Sequence, residues 1–190
     1  MVALADIVPA RHAELLFQWR QRADIARFMY GQIPFNYAAH VRWLDALPAD
    51  ASRRHWVIEY RGRPVGSAYL TEIVRPLDRA MFGMYVADEG ARLLGVGAAA
   101  EFLALDHAFG PLGLQKVSCE VFAVNPAPRR MHARMGFKSE GVLRRHAQCD
   151  GVWTDVHRLS VLVEEWDATR PILQQSLRKL LGAGAALSPL

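Results

Sequence analysis

The chain has 190 residues, 52% of them hydrophobic and 22% charged, with a formal net charge of +4 and a pI near 9.4. That is enough chain and enough apolar material for one domain with a full core, and it excludes a disordered or fibrous chain. The basic residues are spread out, with only the doublets Arg53-Arg54, Arg129-Arg130 and Arg144-Arg145, so the balance suits anionic ligands and argues against nucleic acid.

In chain order, residues 2–8 read as a strand with Val2 and Leu4 inward, ended by Pro9. Residues 11–20 read as a helix carrying Leu15, Leu16 and Trp19, and residues 22–29 as a second helical stretch. Gly31 and Pro34 mark a loop. Asn36 is placed to cap a helix over 37–47 with Val41, Leu44 and Leu47 on its apolar face. The stretch from Trp19 to Trp43 is rich in aromatic residues and Arg, which serves either ordinary helix packing or a wall for flat rings and phosphates.

Residues 55–60 and 64–74 read as a hairpin around Arg61-Gly62-Arg63, and residues 79–86 as the next strand. Next comes the polar, glycine-bearing turn 87–97. After it, Ala98, Phe102, Leu105 and Phe109 recur at helical spacing. Gly110 and Gly113 stop that helix. Residues 116–123 read as a central strand, 128–135 as a short helix ended by Gly136, and 137–146 and 153–164 as a last strand pair. A helix over 171–181 precedes Gly182 and Gly184. Strand–helix–strand in the middle implies one parallel pairing in an otherwise antiparallel sheet.

The turn 92–98 joins a strand to a helix start, where amides lack internal partners and the dipole is positive. Gly95 and Gly97 let a ligand approach the backbone, which makes the corner suited to a phosphate or pyrophosphate; tight turning alone is the other reading. The two cysteines, Cys119 and Cys149, give no disulfide framework, and Cys119 reads as core. The seven histidines are dispersed, with no metal spacing. No signal peptide is expected, nor any apolar run of roughly 20 residues, so a cytoplasmic location without a membrane partner is expected.

Residues 125–137, Asn-Pro-Ala-Pro-Arg-Arg-Met-His-Ala-Arg-Met-Gly-Phe, resemble the closing motif of the Gcn5-related N-acetyltransferase superfamily, and Arg92-Leu-Leu-Gly-Val-Gly97 resembles its pyrophosphate loop. The resemblance covers residues 1 to 166, leaving 167–190 as a helical or flexible extension. It implies an α/β fold: a mixed, mostly antiparallel seven-stranded sheet flanked by helices, with a splayed central parallel pair. It implies acetyl-CoA as co-substrate. Met84, Tyr85 and Val86 would pair with the pantetheine arm, and the amides of Arg92, Leu93, Leu94, Gly95, Val96, Gly97 and Ala98 would hold the pyrophosphate. Asn125 would touch the arm, with Arg129 or Arg130 reaching the 3′-phosphate; a solvated helix face is the other reading of that doublet.

Many members of the superfamily have Tyr where this chain has His132, which is therefore either the acid for the leaving thiolate or a contact. Glu72 and Glu120 are the candidate bases, through water or directly, unless the amine arrives neutral. Within the superfamily, Met29-Tyr30, Ile33, His40-Val-Arg-Trp43, Trp56-Val-Ile58, residues 120–125, Arg144-x-His146 and Glu165-Trp166 are similar to the nucleotide-sugar acetyltransferases of pseudaminic acid biosynthesis, which serves flagellin glycosylation. This implies a UDP-linked amino-dideoxy sugar acylated at its 4-amino group, with Arg20 or Arg22 at the diphosphate and Met29, Tyr30, His40 and Tyr85 at uracil, ribose or sugar. A ribosomal-protein-type N-terminal acetyltransferase and a non-catalytic acyl-CoA module are the alternatives. A homodimer is compatible with the amphipathic tail, though no residue pattern specifies a contact.

Overall fold

Alternation along the strands sorts side chains onto two faces, and each face recruits its own helices. The computed structural model describes residues 1–30 and 36–181; Ile33 and the Gly31–Pro34 loop lie outside them, as does the chain after Leu181. The strands are β1 (Val2–Asp6), β2 (Arg54–Tyr60), β3 (Arg63–Val74), β4 (Arg79–Val86), β5 (Lys116–Phe122), β6 (Lys138–Cys149) and β7 (Val152–Leu162). They form one sheet in the order β1-β2-β3-β4-β5-β7-β6. Every pairing is antiparallel except β4 with β5, as the sequence led us to expect.

The helices are α1 (Pro9–Gln21), α2 (Ala23–Ala26), α3 (Tyr37–Ala46), α4 (Glu89–Leu93), α5 (Val96–Phe109), α6 (Pro126–Arg134) and α7 (Val163–Leu181). On one face Trp56, Ile58, Ala68, Leu70, Phe82, Val117, Cys119 and Val121 pack with α5. That helix is buried nearly all round, as its Ala/Leu composition requires. On the other face Val57 packs with Ala13 and Leu16 of α1 and Leu44 of α3. The Asn36 side chain caps α3 by accepting from the Ala39 amide at 3.3 Å.

Several boundaries differ from the sequence reading, among them α1 beginning at Pro9, α2 ending at Ala26 and α6 beginning at Pro126, and three of the differences shape the site. The turn 87–97 contains α4, begun by Asp88, whose Oδ1 accepts from the Ala91 amide at 2.7 Å. The long helix starts at Val96, directly after Gly95 in a left-handed conformation (φ 75°). Residues 163–181 form one helix with Pro171 inside it. Trp166 and Leu177 of that helix are buried in the main core beside Leu173, so the expected extension begins within a packed element.

The feature that positions the site is a fork in the sheet. β5 stays paired with β7 from Lys116↔Leu162 to Phe122↔Val156, and β4 stays paired with β3 from Thr71↔Met81 to Gly66↔Val86. Between β4 and β5 the register is only Arg79↔Lys116, Ala80↔Val117 and Met81↔Ser118. Beyond Met81 the two strands follow their outer partners and separate. Among the described residues, no helix is long and apolar enough to cross a membrane.

Candidate active site

The fork leaves Phe82–Val86 of β4 without a ladder partner on the β5 side. Unpaired backbone N–H and C=O groups need partners, so an extended ligand with amides of its own fits the gap as an added strand. Met84 and Val86 point to the α5 face, where a Cβ on Gly97 would lie 3.4 Å from Met84 Cε, 3.5 Å from Met131 Sδ of α6 and 3.6 Å from Val86. Glycine thus keeps open the passage between α5, β4 and α6. At Gly95 a Cβ would meet Leu180 of α7 at 2.5 Å, and its left-handed backbone favours glycine independently.

The cradle for an anion is narrower than the stretch 92–98. The Arg92 amide bonds Asp88 O and the Leu94 amide bonds Ala91 O, each at 3.2 Å, so both are engaged in α4. The Leu93 side chain is exposed. Ala99 opens the helical ladder by donating to Gly95 O at 3.2 Å. Val96, Gly97 and Ala98 precede it and carry the unsatisfied amides of the first turn.

The Arg92 guanidinium is a brace. Nε donates to Val86 O at 2.6 Å and an Nη donates to Asp24 at 2.8 Å. Arg22 meets Asp24 through two bonds of 3.0 and 2.8 Å and donates to Ala87 O at 2.9 Å. The Arg22 bonds first, then those from Arg92, hold the Asp24 carboxyl down at about 2. These residues tie α2 to the end of β4. Asn125 stands at the N-cap of α6 without a side-chain cap bond. Arg129 is bonded to His157 Nε2 of β7 at 3.0 Å, and Arg130 is exposed.

His132, on α6, is buried. Its Nδ1 lies 2.5 Å from Oε1 of Glu101 on α5, a carboxylate with no exposure. The ring sits edge-on to Phe82 at 6.1 Å, next to the residue where the fork opens. Sequence reasoning missed Glu101 and Met131. A signal for Glu101 existed: it lies three residues after Ala98 and four before Leu105, on the stripe that defines the helix face.

On the opposite face, Glu120 of β5 accepts from the Tyr30 hydroxyl at 2.5 Å and meets Arg158 Nη1 at 3.3 Å. Burial, and then that carboxylate, push the Tyr30 phenol pKa up. Met29 is half-buried beside it in sequence. Glu72 is apart from this group: it is exposed, in a left-handed conformation (φ 50°), within the register shift between Thr71 and Val74.

Beneath α1 and α3 lies a cavity of about 410 Å³, lined by Arg20, His40, Trp43, Arg53, His55, Tyr69 and Tyr85 among others. Tyr69 reaches the fork, for a Cβ on Gly83 would lie 2.4 Å from its ring. His55 stacks on Tyr69 at 5.1 Å, with Trp43 edge-on to His55 at 5.1 Å. His40 Nε2 is 3.1 Å from Ala13 O, which joins α3 to α1. Of the expected acceptor contacts, Arg20, His40 and Tyr85 share this cavity, Tyr30 is near the fork with Glu120, and Arg22 belongs to the brace.

Burial, then the charges of Arg53 and Arg20, lower the His55 pKa from 6.5 to about 4. The folded value lies below the unfolded one, so the neutral ring stabilises the fold above pH 6.5, and that contribution is lost as pH falls toward 4. At its limit the loss is about 3 kcal/mol. Thermal unfolding from pH 7 to 4 is expected to show this decline. His55→Phe should flatten part of it, since burial shifts His40 and His107 the same way. An unchanged slope would remove His55 from that account.

A strand fork beside a glycine-opened helix start suits an extended, amide-bearing ligand that ends in a phosphate. The model of the acetyltransferase (GNAT) domain family matches residues 3–138, and the chain belongs to that family. It is an N-acetyltransferase with acetyl-CoA as co-substrate. The chain is 28% identical over 165 residues to the spermidine N(1)-acetyltransferase of Escherichia coli (strain K12), covering 85% of this chain and 87% of that one. It is 30% identical over 100 residues to the "Probable N-acetyltransferase YjcK" of Bacillus subtilis (strain 168), where the match spans 53% of this chain and 55% of that one. Its fold is similar to that of a spermidine N-acetyltransferase from Vibrio cholerae crystallised with CoA and spermine, with TM-score 0.81 at 20% identity over 87% of this chain and 97% of that chain.

Proposed function

We propose that the acceptor is the amine of an anionic, ring-bearing molecule, and specifically the 4-amino group of a UDP-linked amino-dideoxy sugar. The observation that carries this reading is the lining of the cavity. Its described lining holds Arg20, Arg53, His40 and His55 with Trp43, Tyr69 and Tyr85, and no carboxylate, though Arg53 is paired with Asp50 at 2.6 Å. Arginine suits diphosphates, and aromatic faces suit a base or sugar ring. A polyamine, the acceptor in the names of the relatives, carries several positive charges and would meet Arg20 there with no carboxylate among the described lining residues.

The amine nitrogen attacks the thioester carbon, a C–N bond forms and the C–S bond breaks. Free N–H groups on the β4 edge are placed to polarise the carbonyl oxygen. The amine releases one proton, toward Glu120 directly or through water, and the departing sulfur takes one from His132. Val96, Gly97 and Ala98 hold the coenzyme diphosphate by their amides.

Release of free CoA should be measured with a UDP-4-amino-4,6-dideoxy sugar, spermidine and an N-terminal peptide. The sugar nucleotide is expected to give the highest kcat/KM. Arg20→Glu is expected to raise its KM by about tenfold or more, leaving the KM for acetyl-CoA unchanged. Faster, saturable turnover of spermidine would sink the anionic-acceptor reading.

A further inference from the structure

Glu101 is the one acidic residue among the buried positions of α5. A carboxylate removed from water is tolerated where it is paired, and breaking such a pair is costly. Its Oε1 is 2.5 Å from His132 Nδ1, and its Oε2 is buried without a hydrogen-bond partner. His132 in turn is wedged between Phe82 at 6.1 Å and Phe137 at 5.3 Å. Phe82 directly follows Met81, the last β4 residue in register with β5. One ring nitrogen is thus anchored in the core, and the ring stands where the sheet opens.

We propose that Glu101 is a positioning residue for acetyl transfer. It accepts the Nδ1–H of His132, fixes the ring's tautomer and orientation, and by its charge lets the imidazole carry a second proton on Nε2. His132 delivers that proton to the coenzyme sulfur as the C–S bond breaks. The ring regains a proton from solvent, the amine has lost one on forming the C–N bond, and the proton count closes.

Among the described groups around the ring, Glu101 is the carboxylate in contact with it. β5 contributes Cys119, whose thiol pKa is pushed up by burial and then by the Glu101 charge. From α6 itself, Arg129 is turned to His157 of β7, and Arg130 and Arg134 are exposed. On β4 the neighbours, Phe82 and Met84, carry no titratable group.

The inference rests on His132 serving the coenzyme cleft and is independent of which acceptor is used. Glu101→Gln keeps the shape and an accepting oxygen but removes the charge. NMR titration of the His132 ring, which needs no substrate, is expected to show its midpoint about one pH unit lower in the variant. With the best acceptor, kcat at neutral pH is expected to fall roughly tenfold and to recover as pH is lowered, with the KM for acetyl-CoA unchanged.

An unmoved His132 midpoint overturns the proposal, even where the melting temperature falls. So does a moved midpoint with an unmoved kcat–pH profile, which would make the pair structural only. Should Glu101→Gln fail to fold, Glu101→Asp keeps the charge on a shorter arm. It is expected to lose several-fold in kcat while its pH profile stays nearer to wild type, and wild-type kcat in that variant also overturns the proposal. Failure of the acceptor assignment would appear separately, in the acceptor panel, without touching the ring titration.

Discussion

His132→Phe is expected to lower turnover by at least about tenfold while leaving coenzyme affinity nearly unchanged. The phenyl ring fills much of the same space between Phe82 and Phe137, so packing at the fork survives. What disappears is the proposed proton donor, together with the partner of a fully buried Glu101. The uncompensated carboxylate then becomes a stability defect, so Glu101→Gln should be combined with His132→Phe to separate the two effects. The double variant should regain stability without regaining turnover. Coenzyme affinity is predicted to persist because the amides of Val96–Ala98 and the open edge of β4 are backbone features that no side chain at 132 provides. Steady-state kinetics and calorimetric titration with CoA check both halves, and near wild-type turnover would remove His132 from the chemistry.

Trp166→Ala is expected to destabilise the protein by about 3–5 kcal/mol. Trp166 is 1% exposed. It lies 5.2 Å from the ring of Phe102 and stacks at 6.1 Å on Phe109, so it fills the seam between α7 and α5. The guanidinium of Arg170, one turn further on, is bonded to Asp106 of α5. The same helix ends with Leu180 against Gly95, so loosening α7 also removes a wall of the corner proposed to hold the coenzyme diphosphate. A denaturant midpoint measures the first effect, and a parallel rise in the KM for acetyl-CoA measures the second. A loss below 1 kcal/mol would mean that α7 is dispensable to the core. Arg170→Ala, at the half-exposed end of the same seam, should cost less because solvent weakens its ion pair.

Much of the scaffold was legible because its signals are local. The spacing of Ala98, Phe102, Leu105 and Phe109 gave the central helix, and runs of branched and aromatic residues gave the strands. Glycines with forced backbone placed the turn before α5. Asn36 announced the start of α3, and Gly136 the end of α6. The glycine-bearing helix start was readable for the same reason: it is a property of neighbouring positions in the chain.

The site's side-chain arrangement was not legible at that range. The Arg92 amide reads as part of the phosphate loop, yet it bonds Asp88 O within α4, while the side chain braces the end of β4 and reaches Asp24, 68 residues earlier. Tyr30 and Glu120, expected in different roles, share one hydrogen bond across 90 residues. Residues 163 and 164 read as the end of a strand, but α7 begins at Val163, with Trp166 of its first turn buried against α5.

The sequence by itself determined the order of elements, their two-sided patterning and the glycine-bearing helix start, because periodicity and backbone freedom act between near neighbours. Only the tertiary structure decided which carboxylate meets His132, which arginines line the cavity beneath α1 and α3 and where β4 parts from β5. Those outcomes depend on strand order and on the cost of burying charge, and both arise between residues that the chain keeps far apart.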